Sequence, residues 1–238
     1  MKKAGLVAVA AFMAVSAAPA KADWIFGVYA EGQYWAPEAT GSYGSQGNQV
    51  DYDFEDEGQL QLAVALHHPI PLLPNIRLER QELETTGFRS GADSATATQH
   101  TVDLQHDTIT LYYRLLDNRL ARIHFGVSAK RFDGYVGETM SGNGYQVDET
   151  IPTAYLMGSV GLPFTGLSAY ARGHLLAFDD NKVQDIEAGL QYRLFNTPLL
   201  DGNLQLGYRA FNLELDNVAG LYTDFEFKGP FLGFQLHF

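Results

Sequence analysis

The chain contains no cysteine, which excludes a disulfide framework, a thiolate metal site and a cysteine nucleophile. It is also short of positive charge: 16 Lys and Arg stand against 28 Asp and Glu, a formal net charge of -12. A surface of that sign repels nucleic acid, and no nucleic-acid partner is expected. Long uncharged apolar runs are missing beyond the first residues, so no helix with the roughly 20 apolar residues a bilayer crossing needs is available. The remaining way to live in a membrane is by strands whose backbone groups satisfy one another. A mean hydropathy of -0.14 is compatible with that, because a barrel wall alternates apolar and polar side chains. The 238 residues suit one all-β domain or two small ones.

The first segment has the three parts of a secretory signal. Lys2 and Lys3 precede an apolar stretch over residues 4–15, and Ala20-Lys21-Ala22 stands before Asp23. Cleavage is predicted after Ala22, with Ala18-Pro19-Ala20 as the alternative site, so residues 1–22 form the leader and residues 23–238 the mature domain. The leader removes Lys2, Lys3 and Lys21, leaving 13 basic against 28 acidic residues.

From Trp24 onward the apolar signal has a period of two, in segments of roughly ten residues separated by polar, Gly-rich or Pro-rich breaks, the pattern of a transmembrane barrel. Leu60, Leu62, Val64 and Leu66 alternate with Gln59, Gln61, Ala63 and Ala65. A helix would scatter these leucines around its circumference. The same alternation returns at Ile109, Leu111, Tyr113 and Leu115, at Ile123, Phe125 and Val127, at Leu156, Gly158 and Val160, at Ile186, Leu190 and Tyr192, at Leu204, Leu206 and Tyr208, and at Leu232, Phe234, Leu236 and Phe238. Residues 76–85 (IRLERQELET) start in phase and then carry charge on both parities. They are assigned as a strand that either contains a bulge or rises beyond the lipid into water. The expected fold is a single transmembrane antiparallel up-and-down β-barrel of about ten strands, with eight as the alternative. A soluble lipocalin-like barrel is the other fold considered, but its inward face would have to be the apolar one.

The breaks alternate between long ones (residues 36–58, 88–101 and 133–150) and short ones (residues 68–75, 117–119 and 163–166). Outer-membrane barrels place long loops outside and short turns in the periplasm, so both chain ends are expected on the periplasmic side. Trp24, Phe26, Tyr112, Tyr113, Tyr192, Phe195 and Phe238 fall near the predicted periplasmic strand ends, where amphipathic rings favour the headgroup level.

The last eight residues, 231–238 (FLGFQLHF), carry Gly233 followed by Phe234, Leu236 and a terminal Phe238, with Phe231 ahead of them. This segment resembles the C-terminal assembly signal of outer-membrane proteins, departing from it at Phe231, where the signal usually has a polar residue. Together with the leader and the opening residues 27–32 (GVYAEG), it makes the chain similar to small Gram-negative outer-membrane barrels of the OmpA and OmpW type. It looks closer still to a group of such barrels with no assigned biochemical activity. The resemblance implies recognition by the barrel-insertion machinery, residence in the outer membrane after export through the periplasm, and contact with its lipid and lipopolysaccharide. It implies no chemistry.

The second face of the strands supplies Glu31, Arg122, His124, Arg172, Glu187, Arg193 and Arg209, alongside Arg114, Lys130, His174, Asp185 and others. In a narrow barrel side chains fill the lumen, and buried charges need partners. An internal lattice of ion pairs is therefore expected, with a small pore for hydrophobic or anionic solutes as the alternative. For catalysis, His124 and Ser128 lie roughly 13 Å apart along one strand and cannot form a dyad alone. Asp103, His106 and Asp107 form a second candidate group near a rim. There is no serine elbow and no HExxH motif, so the chain is expected to be non-enzymatic, with a lipid- or peptide-modifying barrel as the remaining enzyme reading. The acidic run at residues 51–57 (DYDFEDE) is read as a solvated loop, since it lacks the glycine and terminal glutamate of an EF-hand. His67 and His68 are neighbours on a strand and point to opposite faces, so they are not a metal pair. No cofactor or metal is expected.

Overall fold

A computed structural model describes residues 26–70, 72–93, 97–118, 120–178, 181–218 and 220–238. The expected leader and Trp24 lie outside the described residues. Among the described residues fourteen strands follow one another: β1 (Gly27–Trp35), β2 (Glu38–Ser45), β3 (Asn48–Phe54), β4 (Gln59–His67), β5 (Asn75–Gln81), β6 (Glu84–Arg89), β7 (Gln99–Asp103), β8 (His106–Asp117), β9 (Ala121–Glu138), β10 (Gly144–Gly161), β11 (Leu167–Phe178), β12 (Asn181–Asn196), β13 (Asp201–Val218) and β14 (Leu221–His237). The described residues contain no helix.

These strands make a closed antiparallel barrel of ten staves. Six staves are single strands, β9 to β14, and four are pairs in which one strand continues another: β1 into β2, β3 into β4, β5 into β6 and β7 into β8. Closure is direct at both ends of β14. Its lower half pairs with β1, from Tyr29 opposite His237 to Trp35 opposite Phe231. Its upper half pairs with β2, from Glu38 opposite Lys228 to Gly44 opposite Tyr222. The register runs unbroken across Ala36 and Pro37, whose backbone packs so close to Gly229 that a Cβ there would stand 2.0 Å from the Ala36 carbonyl oxygen.

The stave of β3 and β4 carries the one extra residue in this part of the wall. From Trp35 opposite Gln59 to Thr40 opposite Asp53, the β1/β2 stave advances five residues and the β3/β4 stave six. This is a one-residue bulge in residues 54–58, and it flips the parity above it. Below, Gln59, Gln61, Ala63 and Ala65 point inward; above, Tyr52 and Phe54 do, leaving Asp51 and Asp53 outside. Side chains close the gap: the Gln59 amide donates to the carbonyls of Glu57 (3.0 Å) and Glu84 (2.7 Å) and accepts from the Glu84 amide (3.1 Å). Residues 76–85 contain no bulge. They keep one phase throughout, with Ile76, Leu78, Arg80, Glu82 and Glu84 outside and Arg77, Glu79, Gln81, Leu83 and Thr85 inside. Of the two readings made for this segment, the rise above the apolar zone is the one seen.

The wall changes polarity along its height. In the lower half the aliphatic rows named above face outward, as Leu206 (59% exposed) and Val127 (64% exposed) illustrate. In the upper half the apolar residues face inward and make one core, including Trp35, Leu83, Leu104, Phe132, Val147, Phe211, Leu213, Phe225, Phe227 and Phe231. β13 shows the exchange within one strand. Leu204, Leu206 and Tyr208 are outside with Asn203, Gln205 and Arg209 inside; then Phe211, Leu213 and Leu215 are inside with Asn212, Glu214 and Asp216 outside. The backbone does not slip between the two halves; the hydrophobic pattern does.

The structure therefore corrects the expected long loops. Residues 36–58 and 133–150 are mostly strand, forming the β2/β3 hairpin and the upper parts of β9 and β10, and residues 88–101 are strand at both ends. Their apolar residues alternate on the opposite parity from the lower half, which hid them from a template with apolar residues outside. Tyr112 is likewise a correction: it is 2% exposed and faces the interior, whereas Tyr113, Tyr192 and Phe195 face outward as expected of a girdle.

Candidate functional site

The interior is a column of four layers. The lowest is an open vestibule of about 830 Å³ at the end where β1 begins and β14 ends, with Arg122, Arg193, Asp117, Asp201 and Phe164 in its lining. Arg122 donates from Nε to Ser159 Oγ at 2.9 Å, and Arg193 is exposed. These two expected interior cations thus sit at the mouth rather than in the packed centre.

Above the vestibule lies the polar lattice. Glu31 accepts from Arg77 (3.0 Å) and Arg172 (2.7 Å), and Gln235 donates to its second oxygen at 3.0 Å. Arg172 also pairs with Glu187 (2.7 Å), to which Gln33 donates at 3.3 Å. Asp185 takes Arg209 Nε and Nη2 at 2.8 and 2.9 Å and Lys130 at 2.8 Å. Arg77 Nε reaches Glu79 at 3.1 Å, and Arg209 Nη1 donates to Gln81 at 2.6 Å while its guanidinium lies 4.9 Å from the Trp35 ring centre. The carboxylates Glu31, Glu79, Asp185 and Glu187 are matched in number by Arg77, Lys130, Arg172 and Arg209, all buried. Buried charge is tolerated where it is paired, and each of these charges has an opposite charge within ion-pair distance. Of the residues singled out from sequence, Glu31, Arg172, Glu187 and Arg209 meet in this lattice. His124 is buried lower, against Tyr112.

Arg77, Glu79 and Gln81 were not picked out as interior residues. Their signal was alternation opposite Ile76 and Leu78, obscured because Arg80, Glu82 and Glu84 carry charge on the other parity above the apolar zone.

Registration of the strands also brings together a serine, a histidine and a carboxylate. Ser128 Oγ lies 3.1 Å from His174 Nδ1, and His174 Nε2 lies 3.4 Å from Glu79 Oε2. The order of groups is that of a nucleophile, a base and an orienting acid. Its surroundings are not those of an active site. All three side chains are buried in the lattice, and Ser128 Oγ shares a second hydrogen bond with Thr110 at 2.9 Å. None of the three cavities found in the lower half is lined by Ser128, His174 or Glu79. Asp103 and Asp107 are on the outer wall and His106 is inside, so that rim group does not converge.

The third layer is the apolar core, and the fourth is an outer cup of about 500 Å³ between the β2/β3 and β9/β10 hairpins. Its lining includes the inward-facing Tyr43, Tyr52, His100, Glu138 and Tyr145, with Val50 and residues of the two hairpin turns above them. Tyr43 and Tyr52 stack with ring centres 4.6 Å apart, and the Tyr43 hydroxyl bonds His100 Nδ1. Burial pushes the His100 imidazole below its ordinary range, and the nearby Glu138 carboxylate opposes that shift in part. Ser141 Oγ and Asn143 Nδ2 donate to the Glu138 carboxylate and hold its pKa below the usual range.

At the base of the wall, Gly233, Phe234 and Leu236 on β14 pair with Gln33, Gly32 and Ala30 of β1, and Phe238 exchanges two backbone hydrogen bonds with Val28 at 2.9 and 3.2 Å. The terminal segment is thus the closing seam.

The fold is a closed antiparallel β-barrel, and in fold the chain resembles outer-membrane barrels of known structure. No family model matches the chain, and no curated protein matches it in sequence. Among solved structures it is similar to the outer membrane protein OprG from Pseudomonas aeruginosa, at 13% identity over 90% of this chain and 95% of that one, with a TM-score of 0.42. It is also similar to the transport unit of the autotransporter AIDA-I from Escherichia coli (10% identity, 98% and 96% covered, TM-score 0.40) and to Neisserial surface protein A (11%, 88% and 95%, 0.34). The closure itself rests on the strand register.

Proposed function

We propose that this chain is a non-enzymatic outer-membrane barrel of a Gram-negative cell, sealed along its axis, with a structural or surface-interaction role carried by the half that stands above the bilayer. The observation that carries this is the outward apolar zone. On β14 it runs from Pro230 to Phe238 and stops at Lys228, close to the roughly 9–11 residues per strand that a bilayer takes. Water does not solvate such a belt cheaply, and hydrocarbon does. β9, β10 and β13 are each 18 residues long, about twice what the bilayer needs, so the upper half projects.

Outer-membrane lipid and lipopolysaccharide are the surroundings on this proposal, and the insertion machinery would read the seam strand at Gly233, Phe234, Leu236 and Phe238. The ion lattice and the aromatic core leave no described channel from vestibule to cup, which supports a sealed barrel over a pore. The test is fractionation of the native full-length protein with heat-modifiable electrophoretic mobility, followed by planar-bilayer recording. Recovery in the outer-membrane fraction without single-channel steps is expected. Recovery in soluble periplasm would overturn the membrane placement, and reproducible unitary conductance would overturn the seal.

A further inference from the structure

The cup at the top of the barrel is built for a ligand class that the proposed role does not specify. Its floor is the apolar core and its wall is aromatic: Tyr52 and Tyr145, both half-buried, rest on that core, and Tyr43 is buried behind Tyr52. One charged group points into it. Glu138 is the last inward residue of β9, and its carboxylate is positioned by Ser141 and Asn143, both hydrogen-bond donors without charge. The titratable neighbour across the cup, His100, is engaged by the Tyr43 hydroxyl. No basic side chain of the described residues is ion-paired with Glu138, although most other charged groups inside the barrel are paired.

Three kinds of ligand could be considered for such a space. A metal ion is a poor match, because hard cations want six or more oxygens and among the described residues no three His, Asp or Glu side chains converge to hold a metal. An anion meets a fixed carboxylate in an outer half whose wall carries Asp51, Asp53, Glu82, Glu84, Asp133 and Asp224. A neutral ligand leaves the carboxylate without a counter-charge. An organic cation satisfies both features, since aromatic rings attract ammonium groups through their faces and an acidic surround raises the local concentration of cations.

We infer that the cup binds a small organic cation of the alkylammonium class, with Glu138 as counter-ion and Tyr52, Tyr145 and Tyr43 as the aromatic wall. The volume of about 500 Å³ falls in the range of small-molecule sites. This inference does not rest on the bilayer placement, because the cup lies in the half with the apolar core.

The experiment is calorimetric titration of the refolded full-length protein in detergent with choline, in parallel with its uncharged isostere in which carbon replaces the nitrogen. Choline is expected to bind saturably and the isostere about tenfold more weakly or worse, as befits charge recognition. Glu138→Gln is expected to weaken choline about fivefold or more, and Tyr145→Ala similarly, with the heat-modifiable mobility of both variants unchanged because both sites are at the rim. Equal binding of the isostere, undiminished binding by Glu138→Gln, or the absence of saturable binding would each overturn the inference. Saturable binding of a neutral hexose in place of choline would do so too.

Discussion

The lower and upper halves of this barrel share staves, register and handedness of pairing, yet they bury opposite things. Below, the wall hides charge and shows hydrocarbon; above, it hides aromatic rings and shows carboxylates. The difference shows that strand alternation specifies which side chains share a face, while the solvent outside decides which face must be apolar. If the lower wall stands in lipid, as proposed, the lumen must satisfy Glu31, Glu79, Asp185 and Glu187 with their cations. On the same placement the upper wall stands in water, and its lumen can be a core of the ordinary kind, held by burial of apolar area at roughly 25 cal/mol per Å².

The largest effect is expected from deleting Asp56. The bulge in residues 54–58 aligns the two halves on the β3/β4 stave, and removing its extra residue would turn Asp51 and Asp53 into the core and Tyr52 and Phe54 out to water. Loss of the heat-resistant folded form on gels is the expected result. A deletion variant that folds with unchanged stability would show that the bulge does not set the phase.

Next come paired truncations, one in each half. Arg209→Met leaves Asp185 with Lys130 as its remaining cation and removes the Gln81 contact; breaking a buried pair in this way costs about 3–5 kcal/mol. Phe227→Ala opens a void beside Phe211 and Phe225 and costs about the same, 3–5 kcal/mol. Denaturant unfolding in lipid vesicles measures both. The comparison sharpens with a second change: Asp185→Asn in the Arg209→Met background should recover part of the loss, whereas no polar partner change rescues Phe227→Ala.

How much of this was legible in sequence follows from the same contrast. The lower half was read directly, because Leu60 to Leu66 and Ile123 to Val127 alternate against polar neighbours in the phase a lipid-facing wall demands. The expected count of about ten strands, with eight as the alternative, also needs residues 76–85, assigned as a strand mainly because closure requires one there. The upper half was taken for loops because the apolar phase reverses without any break in the backbone: in residues 204–215 (LQLGYRAFNLEL) the leucines pass from even to odd positions. A search for alternation of either phase would have found Val147 with Ile151 and Phe225 with Phe227. The lattice was legible as a set of inward charges, but its pairings were not, since Glu31 meets Arg172 across 141 positions of chain and only the register brings them together. Arg122 and Arg193 illustrate the limit: their parity is that of the lattice, and their height places them at the vestibule.

The same outward face of β13 offers a finer test of where lipid ends. Leu206→Arg places a cation within the apolar zone and should cost about 2–4 kcal/mol in vesicles, by analogy of depth with lipid-facing sites near a bilayer midplane. Asn212→Arg, three outward positions higher and beside Glu226, should cost close to nothing. Equal penalties at the two positions would mean that the bilayer reaches above Lys228.

The smallest expected effect belongs to the outer wall of the projecting half. Lys182 and Glu214 face each other on β12 and β13 at 2.6 Å, each more than a third exposed. Exposed pairs contribute about 0–1 kcal/mol and are screened by salt. Lys182→Ala should therefore leave the unfolding midpoint nearly unchanged in 0.15 M salt, roughly the physiological strength at which screening acts within about 8 Å, and any shift seen at low salt should vanish as salt is raised. A salt-independent loss of several kcal/mol would mean that this pair is shielded from water, and with it that the upper wall is covered by lipid or by another molecule rather than standing in solvent.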